Sequence, residues 1–272
     1  MRVYRFPFQG RSYILKESAL LPDNLSPFWY AMREIYGTDF ALQRKNIRSL
    51  LEVLRKNPHI ETANLVYVNE EQGYQVFEEA AGRKYEPDNF PDEEAAAFQL
   101  GQYIGYLHRT SYESYGVYPP EKGKRGDFTA AMVACMEKLI QRWWKEDKRV
   151  KEEFERIRKQ KIMPSSYSLI MTDISANQFV FSEDLKGIKA VVDFDAYVVG
   201  PREWELTVLE GCLKSRDAFR RGYEIYRKMP DLNEYQTFYL FFSYLCDPWE
   251  NMDLDAFLHR NEEIHGKCVE AL

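Results

Sequence analysis

Two stretches decide how the chain reads: L-I-M-T-D-I-S-A-N-Q-F-V-F at residues 169–181, and A-V-V-D-F-D-A-Y-V-V-G-P-R-E-W-E-L at residues 190–206. The apolar runs 167–171, 179–182 and 188–194 have the β-branched and aromatic make-up of buried strands, and residues 184–187 form a turn between the last two. The first run delivers Asp173 into a short polar loop, and the third ends in Asp193. Either carboxylate alone reads as an ordinary loop acid. Two of them at the ends of neighbouring buried strands read as one site.

Phosphoryl transfer needs parts of this kind. One carboxylate orients the attacking hydroxyl and accepts its proton, while a second carboxylate and an amide oxygen hold magnesium. In the kinase catalytic loop the amide lies five residues beyond the base. Counting from Asp173 gives Gln178, with Asn177 one residue short. Gln178 fits the spacing and Asn177 fits the residue type.

Outward from this patch the composition divides the chain. Residues 3–8 and 12–15 are β-prone runs around Gln9-Gly10-Arg11, a hairpin pattern. A helix is expected over 27–36 and another over 42–56, where Ile47, Leu50, Leu51 and Leu54 recur at helical spacing before Asn57-Pro58. Strands are expected at 63–68 and 74–78. Residues 83–92 are polar and proline-bearing, as a crossover is. Beyond them the pattern is mainly helical. Gly101 and Gly105 are spaced for close helix packing, Asp127 is placed to cap a helix, and 147–161 reads as a charged helix. The stripe Tyr235, Phe238, Tyr239, Phe242, Tyr244 and Leu245 reads as core or as the wall of an acceptor pocket. The expected architecture is α+β and two-lobed: a short β-rich N-lobe over 1–82 ending in a hinge, then a mainly helical C-lobe over 83–272.

Several segments, taken in order, resemble the aminoglycoside phosphotransferases, choline kinases and homoserine kinases, which share a protein-kinase-like fold. The family's H-G-D-x-x-x-x-N loop is matched by M-T-D-I-S-A-N-Q, its I-D-[FW] strand by V-D-F-D, and its G-x-x-P-R-x-x-D segment by G-P-R-E-W-E-L. L-G-Q-Y-I-G-Y-L-H at 100–108 and F-R-R-G-Y at 219–223 are similar to two family helices. V-F-E-E-A-A-G at 76–82 resembles the hinge strand that binds adenine, which implies Glu78 and Ala80 as nucleotide contacts. Lys16, ending the second strand, matches the phosphate-binding lysine. The resemblance implies ATP and magnesium as cofactors, Asp173 as the catalytic base, Asp193 with Gln178 as metal ligands, and a small hydroxyl-bearing acceptor. It also implies that Glu205 braces the catalytic loop.

The departures are specific. Met171 stands where the family has histidine, Gln178 where it has asparagine and Glu205 where it has aspartate, and no glycine-rich loop precedes Lys16. The glutamate partner of Lys16 is open between Glu34 and Glu52. These losses raise an alternative to a working kinase: a catalytically degenerate member with a binding or structural role, of the spore-coat type.

Composition sets outer bounds. With 272 residues, 45% hydrophobic, the chain can bury a sizeable core. A formal charge of −6 gives no field that favours nucleic acid. Four scattered cysteines without zinc spacing suggest reduced thiols and a cytoplasmic setting, and no apolar run suggests a membrane span. Acidic residues in 86–94 favour a cationic acceptor. His59, His108, His259 and His265 read as caps, packing or surface groups.

Overall fold

The computed structural model describes residues 2–17, 25–38, 40–85, 90–119, 123–124, 126–247 and 253–259. Strands β1 (Arg2–Phe8) and β2 (Arg11–Glu17) form the first hairpin. Its two-residue turn places Gln9 at φ 49° and Gly10 at φ 76°, the left-handed pair that matches strand twist. β3 (Glu61–Thr62), β4 (Leu65–Asn69) and β5 (Tyr74–Glu78) follow. The small sheet runs β1-β2-β5-β4, all antiparallel. β3 does not join it; it pairs in parallel with β9 (Ile188–Val191) of the helical lobe.

Helix α1 (Pro27–Tyr36) forms at the expected place for local reasons. Ser26 caps it by accepting from Trp29 N, Pro27 occupies the first turn, and Gly37 ends it at φ 69°. Although it lies between sheet strands in sequence, it packs on α4 (Phe128–Trp143) and α8 (Gln236–Cys246). Lys124 Nζ donates to the carbonyls of Glu34 and Ile35 at 2.9 Å each, placing a cation at the helix C-terminus. Tyr36 stacks on Trp204, with ring centroids 6.1 Å apart. Helix α2 (Phe40–Leu54) turns Ile47, Leu50, Leu51 and Leu54 into a core shared with Phe77 and Leu65 of the sheet.

In the helical lobe, α3 (Glu94–His108) crosses α7 (Arg216–Tyr223) at contact distance. A Cβ on Gly101 would lie 2.1 Å from the Phe219 carbonyl oxygen, and one on Gly222 would lie 2.1 Å from that of Phe98. The backbones therefore touch where side chains are absent. Asp127 accepts from Ala130 N at 3.0 Å to cap α4, and Asp147 caps α5 (Lys148–Ile157) in the same way. The three expected strands form as β7 (Tyr167–Met171), β8 (Phe179–Phe181) and β9, but not as one patch: β8 and β9 pair with β3 while β7 belongs to another sheet, and β9 ends at Val191 instead of 194, leaving Asp193 two residues beyond it. Two further strands, β6 (Gly116–Val117) and β10 (Tyr197–Pro201), pair into the sheet β6-β10-β7. Helix α6 (Arg202–Cys212) follows, and α9 (Leu254–His259) packs on α8. Phe238, Tyr239, Phe242 and Leu245 of α8 are fully buried, so that stripe is core. No helix among the described residues is long and apolar enough to cross a membrane.

Candidate active site

β7 is buried along its length, and its last turnward step is fixed twice: Thr172 N and Oγ1 both donate to the Ala196 carbonyl, at 2.9 and 2.8 Å. Asp173, the next residue, is exposed. The chain then makes a single 3-10 turn over Ala176–Gln178. Asn177 faces solvent and Gln178 is buried. Val192 N donates to the Gln178 carbonyl at 2.8 Å, which sets Gln178 against the segment that carries Asp193. The choice between Gln178 and Asn177 thus has a geometric side: Gln178 is the one whose backbone is tied next to Asp193.

Lys16 reaches the same segment from the small sheet. Its Nζ lies 3.0 Å from Asp193 Oδ1 and donates to the Val192 carbonyl at 3.0 Å. The lysine side chain is 11% exposed and the aspartate 24%, so the pair is poorly screened by water. Below Lys16, Phe77 packs against Phe194. Neither glutamate considered for Lys16 serves it. Glu34, carried onto the helical lobe by α1, pairs with Lys138, and Glu52 faces solvent. The reason is positional: α1 departs from the sheet, and α2 turns Arg44, not a carboxylate, toward this site. Burial, and then the charge of Asp193, push the Asp195 carboxyl up to about 6, with Lys16 and Arg44 opposing the rise.

A cavity of about 550 Å³ is lined by Glu78, Glu79, Ala80 and Gly82 of the hinge together with Arg5, Arg11 and Ser12 of the hairpin. The Glu78 carboxylate is held by its neighbours: it accepts from Arg11 at 2.8 Å and from Asn64 at 3.1 Å. Hydrogen bonding from Asn64 and Arg11 holds its carboxyl below the usual range. Half-buried Ala80 lines the cavity beside exposed Ala81 and Gly82.

Glu205 reaches the end of β7, just before Asp173, as its sequence position implied. Its Oε1 accepts from Met171 N at 2.9 Å, and its Oε2 lies 2.5 Å from His108 Nε2. Both side chains are completely buried. His108 Nδ1 meets Tyr223 Oη at 3.1 Å, and Arg202 donates to the same hydroxyl at 3.1 Å. His108 is therefore a link between α3, α6 and α7, a role that reading it as a cap or packing group missed. Its place at the end of L-G-Q-Y-I-G-Y-L-H, facing the buried side, was the available signal. Of the acidic stretch 86–94, residues 86–89 lie outside the described residues. Asp92 accepts from Ser215, and Glu94 pairs with Arg221.

A four-stranded sheet lobe joined through a hinge to a mainly helical lobe, with Lys16 of the sheet meeting Asp193 of the helical lobe, is the two-lobed protein-kinase-like arrangement. Residues 17–238 match the sequence model of the phosphotransferase enzyme family that includes the aminoglycoside phosphotransferases, and the chain belongs to that family. Solved structures agree on the fold. A putative aminoglycoside phosphotransferase from Ralstonia eutropha is 13% identical, with 97% of this chain and 90% of that one covered and a TM-score of 0.61. The choline kinase LicA from Streptococcus pneumoniae is 12% identical, with 98% and 89% covered and a TM-score of 0.53. The ADP-bound aminoglycoside phosphotransferase APH(2'')-Ib is 13% identical, with 97% and 92% covered and a TM-score of 0.56. No curated protein matches in sequence.

Proposed function

We propose that this chain transfers a phosphoryl group from ATP, with magnesium, to the hydroxyl of a small molecule. The observation that carries the proposal is the Lys16–Asp193 contact at 3.0 Å. It brings a phosphate-binding cation and a metal-binding carboxylate together across the cleft, beside Gln178 and one loop from Asp173. In the family, an ADP-bound neighbour supports a nucleotide in the hinge cavity.

In this reading Lys16 Nζ holds nucleotide phosphate oxygens, and the backbone at Glu78 and Ala80 meets the base. Asp193 and Gln178 supply a carboxylate and an amide oxygen, both hard donors. Magnesium commonly takes few protein ligands and completes its shell with phosphates and water, so this donor set fits it. When bound, the ion neutralises phosphate charge. Asp173, exposed at the loop tip, orients the acceptor hydroxyl and accepts its proton. Thr172, Glu205 and the 3-10 turn hold that loop in place. The acceptor is a small hydroxyl compound, and the partners are that acceptor and the nucleotide. The described part of 90–94 is engaged in its own contacts, so it gives no case for a cationic acceptor. A cytoplasmic location accords with the free Cys135, Cys212 and Cys246.

The test is nucleotide-dependent thermal stabilisation paired with turnover. Asp193→Asn should abolish the shift produced by MgATP over magnesium or ATP alone, and with it all transfer. Asp173→Asn should keep the shift and lose most turnover, because the base acts on the acceptor. Titration should reach millimolar nucleotide, since no glycine-rich loop covers the phosphates. Wild-type protein with no shift and no ATP consumption across a panel of hydroxyl acceptors would overturn the proposal and leave the binding or structural role standing.

A further inference from the structure

The face of the small sheet that carries Lys16 also carries polar groups that no motif marks. Lys16 and Gln75 are register partners on adjacent strands, and Phe77 lies two residues along β5 on the same face. Directly opposed side chains of this kind are neighbours, with Cβ atoms about 5 Å apart. Gln75 is only 2% exposed, and its Nε2 is buried with no hydrogen-bond partner. A buried N–H without an acceptor is destabilising, and folded proteins keep few of them.

Helix α2 brings a second cation to the same place. Gln43 Nε2 donates to the Tyr197 carbonyl at 3.1 Å, which ties the start of α2 to the chain two residues beyond Asp195. Arg44, the next residue, lays its guanidinium against the β4–β5 turn: a Cβ on Gly73 would lie 3.4 Å from Nη2 and 3.5 Å from Cζ. Gly73 is two residues before Gln75. Arg44 Nε, like Gln75 Nε2, is buried with no hydrogen-bond partner. Burial and then Asp193 raise the Asp195 carboxyl, while Lys16 and then Arg44 oppose that rise, so the two cations converge on one spot. Asp193 is engaged by Lys16 at 3.0 Å, and Asp195 accepts from neither orphaned donor. This nook holds donors in excess of acceptors, since guanidinium and ammonium have no acceptor of their own. A single water accepts from two donors but brings no charge. The non-bridging oxygens of a phosphate supply both acceptors and negative charge, and guanidinium geometry matches them. Once Asp193 turns to magnesium in the proposed reading, Lys16 and Arg44 are left facing the phosphates.

We infer that Arg44 and Gln75 bind phosphate oxygens of the nucleotide beside Lys16, supplying from side chains the N–H donors that a glycine-rich loop supplies from backbone. The inference rests on the proposed function for the identity of the anion.

Calorimetric titration with inorganic tripolyphosphate, without metal, reads these donors separately from the base and the transfer step. Wild type should bind it. Arg44→Met keeps the stem and removes the guanidinium, and should weaken tripolyphosphate and ATP alike by about 10–100-fold, the worth of a charge-assisted contact. Arg44→Lys keeps the charge without the fork and should recover part of that loss. Lys45→Met makes the same charge change at an exposed position of the same helix and should leave affinity within about twofold. Gln75→Met should weaken tripolyphosphate too, and by removing a buried orphaned amide it should raise the melting temperature of the ligand-free protein; a purely structural glutamine would lower it. Circular dichroism confirms that each variant is folded. Arg44→Met binding as wild type does, Lys45→Met weakening binding equally, lower ligand-free melting for Gln75→Met, or no binding by wild type at about 10 mM would each overturn the inference. Turnover of ATP with a wild-type KM in Arg44→Met would overturn it and leave the proposed transfer standing. Arg44-dependent tripolyphosphate binding in a protein that consumes no ATP would uphold these contacts and sink the transfer.

Discussion

Replacing Glu205 by alanine removes two buried contacts at once. The Met171 amide loses its acceptor at 2.9 Å, and His108 loses the carboxylate 2.5 Å from its Nε2. A hydrogen bond to a charged group contributes about 1.5–3 kcal/mol. Removing the carboxylate also leaves fully buried polar groups with no acceptor and no water to turn to, at about 1–3 kcal/mol each. The two contacts share one carboxylate, so the costs overlap and the expected loss is about 3–5 kcal/mol in all. In a chain of this size each kcal/mol moves the melting temperature by about 2–4 °C, so a fall of roughly 10 °C is expected. Glu205→Gln keeps an acceptor for Met171 N–H and offers an amide toward His108, and should lose about a third as much. Calorimetry measures the melting. Amide exchange at residues 171–173 shows whether the loss is local to the catalytic loop, and a cycle with His108→Ala measures the coupling. Melting within about 1 °C of wild type for the alanine variant, or glutamine as damaging as alanine, would refute the bracing argument.

Other outcomes follow from separate features. Gly101→Ala puts a Cβ 2.1 Å from the Phe219 carbonyl, a backbone atom that cannot rotate away. Its gain of about 1 kcal/mol in helix propensity should be outweighed by overpacking of about 3 kcal/mol, seen as a lower denaturation midpoint. Asp195 carries a folded-state pKa raised to about 6. An acid raised in this way favours the fold most below its unfolded value of about 3.9, and that contribution is lost as pH rises toward 6. Metal-free Asp195→Asn should therefore be more stable than wild type by on the order of 1–3 kcal/mol at pH 7.5, with the gain vanishing near pH 4. Equal gains at both pH values in denaturant titrations would contradict the assignment.

Much of the frame was legible because local chemistry agreed with the final fold. α1 begins at Pro27 and ends at Tyr36 as expected, since its serine cap, first-turn proline and left-handed glycine all lie within the segment. β7 and β5 likewise have the expected limits. Short strands were missed: Gly116–Val117 and Glu61–Thr62 are defined by partners distant in sequence, not by two residues of pattern. β10 was read only as a motif, although its five residues are all buried. At the site, Lys16 and Asp193 meet each other, and Glu205 accepts from Met171 N, the backbone contact that its position implied. The fate of Lys16's glutamate was illegible because it depends on where α1 goes. Nothing in P-F-W-Y-A-M-R-E-I-Y distinguishes packing on the sheet from packing on α4 and α8. His108 was misread for a related reason: its partners come from 115 and 97 residues further along the chain.

The path of α1 and β3 has a mechanical consequence. Between β2 and β4 the chain leaves the small sheet, is anchored in the helical lobe by α1, and is stitched there again where β3 pairs with β9. It enters the helical lobe a further time through the hinge after β5. A door swings because its attachments lie on one line; a plate held at three separated points swings only if those points are collinear. A rotation that carried β3 along with the small sheet would have to part it from β9. The β3–β9 pairing is a two-rung weld, so sheet lobe and helical lobe are joined at a second place besides the hinge.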